Sequence, residues 1–153
     1  MTNRWTRLVT VAAAVWAVAA FSVVNPRAQG AAPAASGVWS GVYTDAQAKR
    51  GEGTANKACA SCHGADLMGG EAGPALVGLE FLGNWNQQSL GDFFDRIHAT
   101  MPADAPGSLS LADTADVVAR IVQLNKYPAG QKDLPSDVNA LGQIKIDSKP
   151  PAK

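Results

Sequence analysis

The chain has 153 residues, the length of one domain, and its 13 basic and 13 acidic residues cancel. No concentrated basic surface is present, which excludes the usual electrostatic basis for holding nucleic acid. A domain of this size buries only a modest core, so a large apolar cofactor would add much of the missing interior.

Arg4 and Arg7 precede an uncharged apolar run from Leu8 to Val24, which Asn25-Pro26 breaks before Ala28-Gln29-Gly30. A charged start, an apolar centre and small residues at a cleavage position predict a secretory signal peptide over residues 1–30. The alternative is an uncleaved helix anchoring the chain to the inner membrane, for which a run of 17 residues is short. Cleavage removes Arg4, Arg7 and Arg27 and leaves ten basic against thirteen acidic residues, a net charge of −3. Residues 31–41, poor in large side chains at their start, read as a flexible leader.

Thr44 stands three residues before Gln47, a capping-box pattern that opens a helix running to about Ala58. Gly51, Gly53, Ala55 and Ala58 make it thin, and each internal glycine costs roughly 1 kcal/mol against alanine. Such a helix depends on close contact with a neighbour. Residues 64–83 are rich in glycine, contain Pro74, and predict a loop with at most one short turn. Ser89 and Asp92 repeat the capping pattern, and Leu90, Phe93, Phe94 and Ile97 follow at helical spacing. That helix ends near Thr100, because Met101 precedes Pro102 and is pushed toward extended geometry. Pro102, Pro106 and Gly107 stiffen the next loop. Ser110 and Asp113 cap a third helix, with Leu111, Val118, Ile121, Val122 and Leu124 as its apolar face and Asn125 and Pro128 as its end. In the polar residues 131–153, Ile144 and Ile146 alternate as a short strand would, which predicts an extension packed on the body. The fold class is all-α.

Cys59-Ala60-Ser61-Cys62-His63 is a C-x-x-C-H run, the attachment pattern for c-type haem. Two thiols reach the two vinyl groups of a porphyrin, and the adjacent imidazole meets the iron from the same side. A redox dithiol would need a βαβ context that this segment lacks. Tetrahedral zinc usually takes four protein ligands, and only His98 would be left to complete the set. A plain disulfide gives no role to His63.

The second axial ligand follows by elimination among three methionines. Met1 lies in the signal segment. Met68 is five residues from His63 and extends at most roughly 17 Å from it, without slack to round the porphyrin. Met101, on a proline-stiffened loop, reaches the opposite face. The alternatives are an ordinary core methionine at 101 and His98 as ligand. A carbonyl near Pro74, in Gly73-Pro74-Ala75-Leu76, is a candidate acceptor for the free nitrogen of His63. Trp85 carries an indole N–H that could donate to a haem propionate, or be satisfied elsewhere in the core.

Residues 42–130 resemble monohaem class I c-type cytochromes of bacteria. They are most similar to those found with periplasmic quinoprotein alcohol dehydrogenases. The matching pieces are Ala58 to Gly64, Gly73-Pro74-Ala75-Leu76, Thr100-Met101-Pro102, Ala105 to Ser110 and Pro128-Ala129-Gly130. Leu134-Pro135 through Ile146 resembles the family's C-terminal extension. The resemblance implies a cytochrome c-like fold, with N- and C-terminal helices packed around one covalently bound haem c held by Cys59 and Cys62, and with His63 and Met101 on the iron. It implies a one-electron carrier, not an enzyme. Its partners would be periplasmic redox proteins, a quinoprotein dehydrogenase or a terminal oxidase among them. Relatives usually carry aromatic residues where Ala55 and Arg120 stand, so the contact between terminal helices here is looser or rebuilt from small residues.

Overall fold

The computed structural model describes residues 36–152. The expected signal segment lies outside the described residues, and no described helix is long and apolar enough to cross a membrane. The elements in chain order are β1 (Ser36–Gly37), a 3-10 turn (Val38–Ser40), α1 (Asp45–Ala58), α2 (Ala60–His63), α3 (Gly78–Trp85), α4 (Leu90–Thr100), α5 (Leu111–Leu124), α6 (Val138–Leu141) and β2 (Ile144–Lys145). The two strands pair in parallel, Ser36 with Ile144 and Gly37 with Lys145. The other regular elements among the described residues are helical, in keeping with the expected all-α class.

Local chemistry starts three of the helices where the capping residues stand. The Thr44 hydroxyl accepts the Gln47 N–H at 3.1 Å, and Ser110 does the same for Asp113. Ser89 and Asp92 form a reciprocal capping box, which draws the Asp92 carboxyl below its ordinary range through the Ser89 hydroxyl and N–H. The reciprocal half of the box at Thr44 is absent. Gln47 is buried and faces the other way: its amide accepts the Leu134 N–H at 2.6 Å and donates to the Leu134 carbonyl at 3.0 Å.

The main helix contact joins α1 to α5, and it is made of small residues. A Cβ added to Gly51 would sit 1.8 Å from the Asp116 carbonyl oxygen. Ala48 and Ala55 on α1, and Ala115, Val118, Ala119 and Val122 on α5, are buried with it. At position 120, where the resemblance implies an aromatic, Arg120 pairs with Glu52 at 3.1 Å. Arg50 spans the same edge, donating twice to Asp116 at 2.8 and 3.1 Å and once to Asp133 at 2.7 Å. Arg50 is exposed and Arg120 and Glu52 are half-buried, and pairs that reach solvent in this way contribute little beyond orientation. Burial of the small-residue face holds the helices together.

Three expectations are corrected by the packing. Residues 78–85 form a helix rather than loop, because Phe81 and Trp85, one turn apart, pack edge-on against Phe93 with ring centres 5.4 and 4.7 Å away. Leu111 sits in the first turn of α5 but is half exposed; the buried face is carried by Thr114, Ala115, Val117, Val118 and Ile121. The folded body also begins before Val42. Val38 is fully buried, and Trp39 packs on Tyr127 and donates its indole N–H to the Asp147 carbonyl at 2.9 Å.

The C-terminal extension packs on this body. Leu134, Leu141, Ile144 and Ile146 are all buried. Ile146 exchanges backbone hydrogen bonds with the turn before α4, accepting from Gln87 at 2.7 Å and donating to Gln88 at 2.9 Å. The end of α6 presses on Gly91, where a Cβ would meet Gly142 N and Val138 O at 2.7 Å.

Two glycines of α1 should respond with opposite signs. Gly51→Ala forces the α1 and α5 backbones apart and should destabilise the protein by about 1–3 kcal/mol in a denaturant titration. Gly53 has open space beyond it, so Gly53→Ala should stabilise by about 0.5–1 kcal/mol through helix propensity.

Candidate functional site

The C-x-x-C-H run forms a single helical turn at the end of α1. Cys59 caps α1, its N–H donating to Ala55, and its carbonyl accepts from His63 N at 2.9 Å to close α2. Two thiols and one imidazole are thereby carried on one turn of backbone. Both cysteines are unpaired, Cys62 exposed and Cys59 half-buried. Burial pushes the Cys59 thiol above its ordinary range.

The loop after this turn doubles back on it. Gly69 N donates to the His63 carbonyl at 2.8 Å, Gly70 N to Gly73 O at 2.9 Å, and Leu76 N to Leu67 O at 2.8 Å. Leu67 adopts a left-handed φ of 57°, a conformation costing an L-residue about 1–2 kcal/mol. Near-complete burial of its side chain offsets that cost. Gly69, at φ 90°, lies so close to Ala75 that a Cβ would fall 2.8 Å from its nitrogen.

This folding back delivers an acceptor to His63. The buried imidazole places Nδ1 2.7 Å from the Pro74 carbonyl oxygen. A carbonyl can only accept, so Nδ1 carries the proton and donates, and Nε2 is left with its lone pair. Gly73 makes room for the arrangement; a Cβ there would stand 2.9 Å from both Nδ1 and Cε1 of His63.

Met101 ends α4 with extended geometry, φ −122° and ψ 150°, its N–H still donating to Ile97 at 2.9 Å. Its side chain is half-buried against the core, whereas Met68 is 67% exposed. His98 sits on the flank of α4, stacked on Phe94 with ring centres 6.1 Å apart, and its Nδ1 lies 3.4 Å from the Thr114 hydroxyl of α5. Trp85 is half-buried on Phe93, and among the described residues its indole N–H makes no hydrogen bond.

Two residues that position the loop were not singled out from sequence as parts of the site. Asn125, read there only as a helix stop, donates to Leu76 O at 3.0 Å and Ile121 O at 2.9 Å and accepts from Gly78 N at 2.9 Å. It ties the end of α5 to the start of α3. Glu80 accepts from Ala75 N at 3.1 Å and pins the loop from the other side. An Asn just past a helix end is the only sequence signal for the first, and a lone acid in a first helical turn the only one for the second.

The donor set suits a covalently held haem. An imidazole with its far nitrogen bonded and its near nitrogen free is poised as an axial ligand. Two unpaired thiols flank it, and the half-exposed apolar side chains of Leu76, Val77, Leu82, Trp85, Met101 and Leu109 are available to cover an apolar ring. Among the described residues, no group of three or more His, Cys, Asp and Glu side chains could hold a metal ion.

Residues 46–120 match the family described as "Cytochrome C oxidase, cbb3-type, subunit III", a stretch that contains Cys59, Cys62, His63 and Met101. No curated protein matches the chain. Among solved structures, the sulfane dehydrogenase SoxCD from Paracoccus pantotrophus is similar at 25% identity with a TM-score of 0.43. That match covers 52% of this chain and 44% of the other, so this chain spans less than half the length of that relative.

Gly73→Ala should push the imidazole off the Pro74 carbonyl. We expect a loss of about 1–3 kcal/mol in stability and, in 15N imidazole spectra, loss of the hydrogen-bonded Nδ1 proton. Gly83→Ala, with open space beyond it, should leave both unchanged or add slightly to stability.

Proposed function

We propose that this chain is a periplasmic one-electron carrier with one haem c bonded to Cys59 and Cys62 and ligated by His63 and Met101, a reading supported by the match of residues 46–120 to a cytochrome oxidase subunit family. The observation that carries this reading is the His63–Pro74 hydrogen bond, which leaves Nε2 free on the same turn as two unpaired thiols. A bound haem c would supply the one-electron iron couple.

The chain's own residues then have separate roles. Cys59 and Cys62 fix the group at the end of α1, so its position is set by the packing of α1 on α5. The Pro74 carbonyl holds the His63 ring in one tautomer and makes Nε2 a better donor. Met101, offered where α4 meets the proline-stiffened loop, would supply a thioether as the second iron ligand, a ligand that raises the reduction potential. With His63 and Met101 both on the iron, no position would be left for a substrate, which would separate a carrier from a catalyst. The indole N–H of Trp85, which makes no hydrogen bond among the described residues, would be available to a propionate. His98 is engaged at the α4–α5 interface by Phe94 and Thr114, which argues against a role on the iron.

The apolar segment before Pro26 supports export to the periplasm, with residues 1–30 removed or retained as an inner-membrane anchor. The partners are other periplasmic redox proteins. A quinoprotein dehydrogenase suits the resemblance in sequence, and a terminal oxidase suits the family description. A fixed subunit of such a complex would use the same chemistry as a free carrier.

The ligand assignment is tested by substitution. His63→Ala should impair haem attachment as well as ligation. Met101→Ala should retain the haem and open the iron to carbon monoxide. The oxidised wild-type protein should show the weak long-wavelength band of thioether-ligated ferric haem, removed by Met101→His and retained in His98→Ala. Rapid carbon monoxide binding by the reduced wild-type protein, with no such band, would replace the carrier by an open-iron haem protein.

A further inference from the structure

We propose that the outer face of α3, with the loop leading into it, is the surface on which this carrier meets its redox partner, and that the partner is a protein presenting an apolar centre rimmed by lysine and arginine. The proposal rests on the carrier reading above. Leu79, 89% exposed, and Met68, 67% exposed, are the two most exposed large hydrophobic side chains among the described residues. Gly78 and Gly83, on the same short helix as Leu79, have open space where a Cβ would stand, so nothing among the described residues packs on α3 at these positions. Leu79 and Met68 belong to one folded unit, because Leu67 and Leu76 are hydrogen-bonded and Glu80 holds Ala75. That unit also carries the Pro74 carbonyl bound to His63. A partner seated there lies beside the redox centre, where electron transfer needs it.

The charges select the partner. Between Lys57 and Arg96 the chain contains no lysine or arginine, while Asp66, Glu71 and Glu80 are all exposed in that interval. The stretch from Ile97 to Ala119, which includes Met101, also lacks basic residues. The cations among the described residues lie elsewhere, on α1, at Arg96 on α4, at Arg120 on α5 and from Lys126 onward. An acidic protein, an anionic lipid surface and the same face of a second copy would each be repelled here. A basic rim would be attracted and steered, with the exposed leucine and methionine supplying the desolvated centre of a small, transient contact.

The test follows electron transfer from the reduced, haem-loaded protein to two oxidised probes, a lysine-rich mitochondrial cytochrome c and an acidic plastocyanin. At low ionic strength the basic probe should react at least ~10-fold faster, and its rate should fall as salt is added. Glu71→Lys should slow that reaction several-fold at low salt, and Leu79→Ser should slow it at high salt as well. Asp95→Lys makes the same change in net charge beside α6, where Asp95 shares a surface hollow with Val138 and Asn139, and should leave the rate within about twofold. Rates that ignore salt, or equal losses from Glu71→Lys and Asp95→Lys, would overturn the docking surface while leaving the carrier intact. Transfer to neither probe, together with rapid carbon monoxide binding, would overturn the carrier reading itself.

Discussion

The near-contact of the Gly51 and Asp116 backbones is the constraint from which the rest of the structure follows. A helix carrying two glycines in its middle has weak intrinsic stability, and α1 is held by pressing one of them, Gly51, against α5 more closely than any side chain would permit. Backbone proximity joins α1 to α5, with the Arg120–Glu52 pair at the edge of that contact. The end of α1 is therefore placed by α5, and the C-x-x-C-H turn that begins at the Cys59 cap inherits that placement.

A second set of contacts fixes what faces the turn. Asn125, just beyond α5, binds the backbone at both Leu76 and Gly78. The helix that anchors the thiols thus also anchors the loop that supplies the Pro74 carbonyl. Both halves of the imidazole's environment are referred to one rigid element. Cavities and displacements in α5 would be felt at His63 through both routes, which is how a packing change remote from the redox centre could alter its potential.

The termini act as a clasp on the side of the body that carries α4. Trp39 and Tyr127 both donate to the Asp147 carbonyl, at 2.9 and 3.1 Å, and Tyr43 donates to the Tyr127 carbonyl at 2.8 Å. Burial raises the hydroxyl pKa of both tyrosines, with a further push from Asp45 on Tyr43 and from Asp147 on Tyr127. The extension then holds the start of α4 through Gly91 and the turn before it, and α4 carries Met101 at its other end. A tail of low apolar content is thereby linked to the geometry of the thioether.

Local sequence determined the features whose causes span only a few residues. The helix starts at Thr44, Ser89 and Ser110, the end of α4 ahead of Pro102, and the C-x-x-C-H turn are all legible because capping, proline sterics and a four-residue attachment pattern act within one turn of chain. Reach along the chain favours Met101 over Met68 as a candidate ligand, an argument that needs only residue spacing. Tertiary structure decided whatever depends on partners far along the chain. Gln47 had two local uses open to it, and burial against Leu134, 87 residues away, selected the one that satisfies two backbone groups. Residues 78–85 lack helix caps and contain Gly78 and Gly83, and they are helical because Phe93 stands ready for Phe81 and Trp85. The reason is general to this molecule: short-range hydrogen bonds choose where helices begin, but burial, which is non-directional and sums over distant segments, chooses which faces meet.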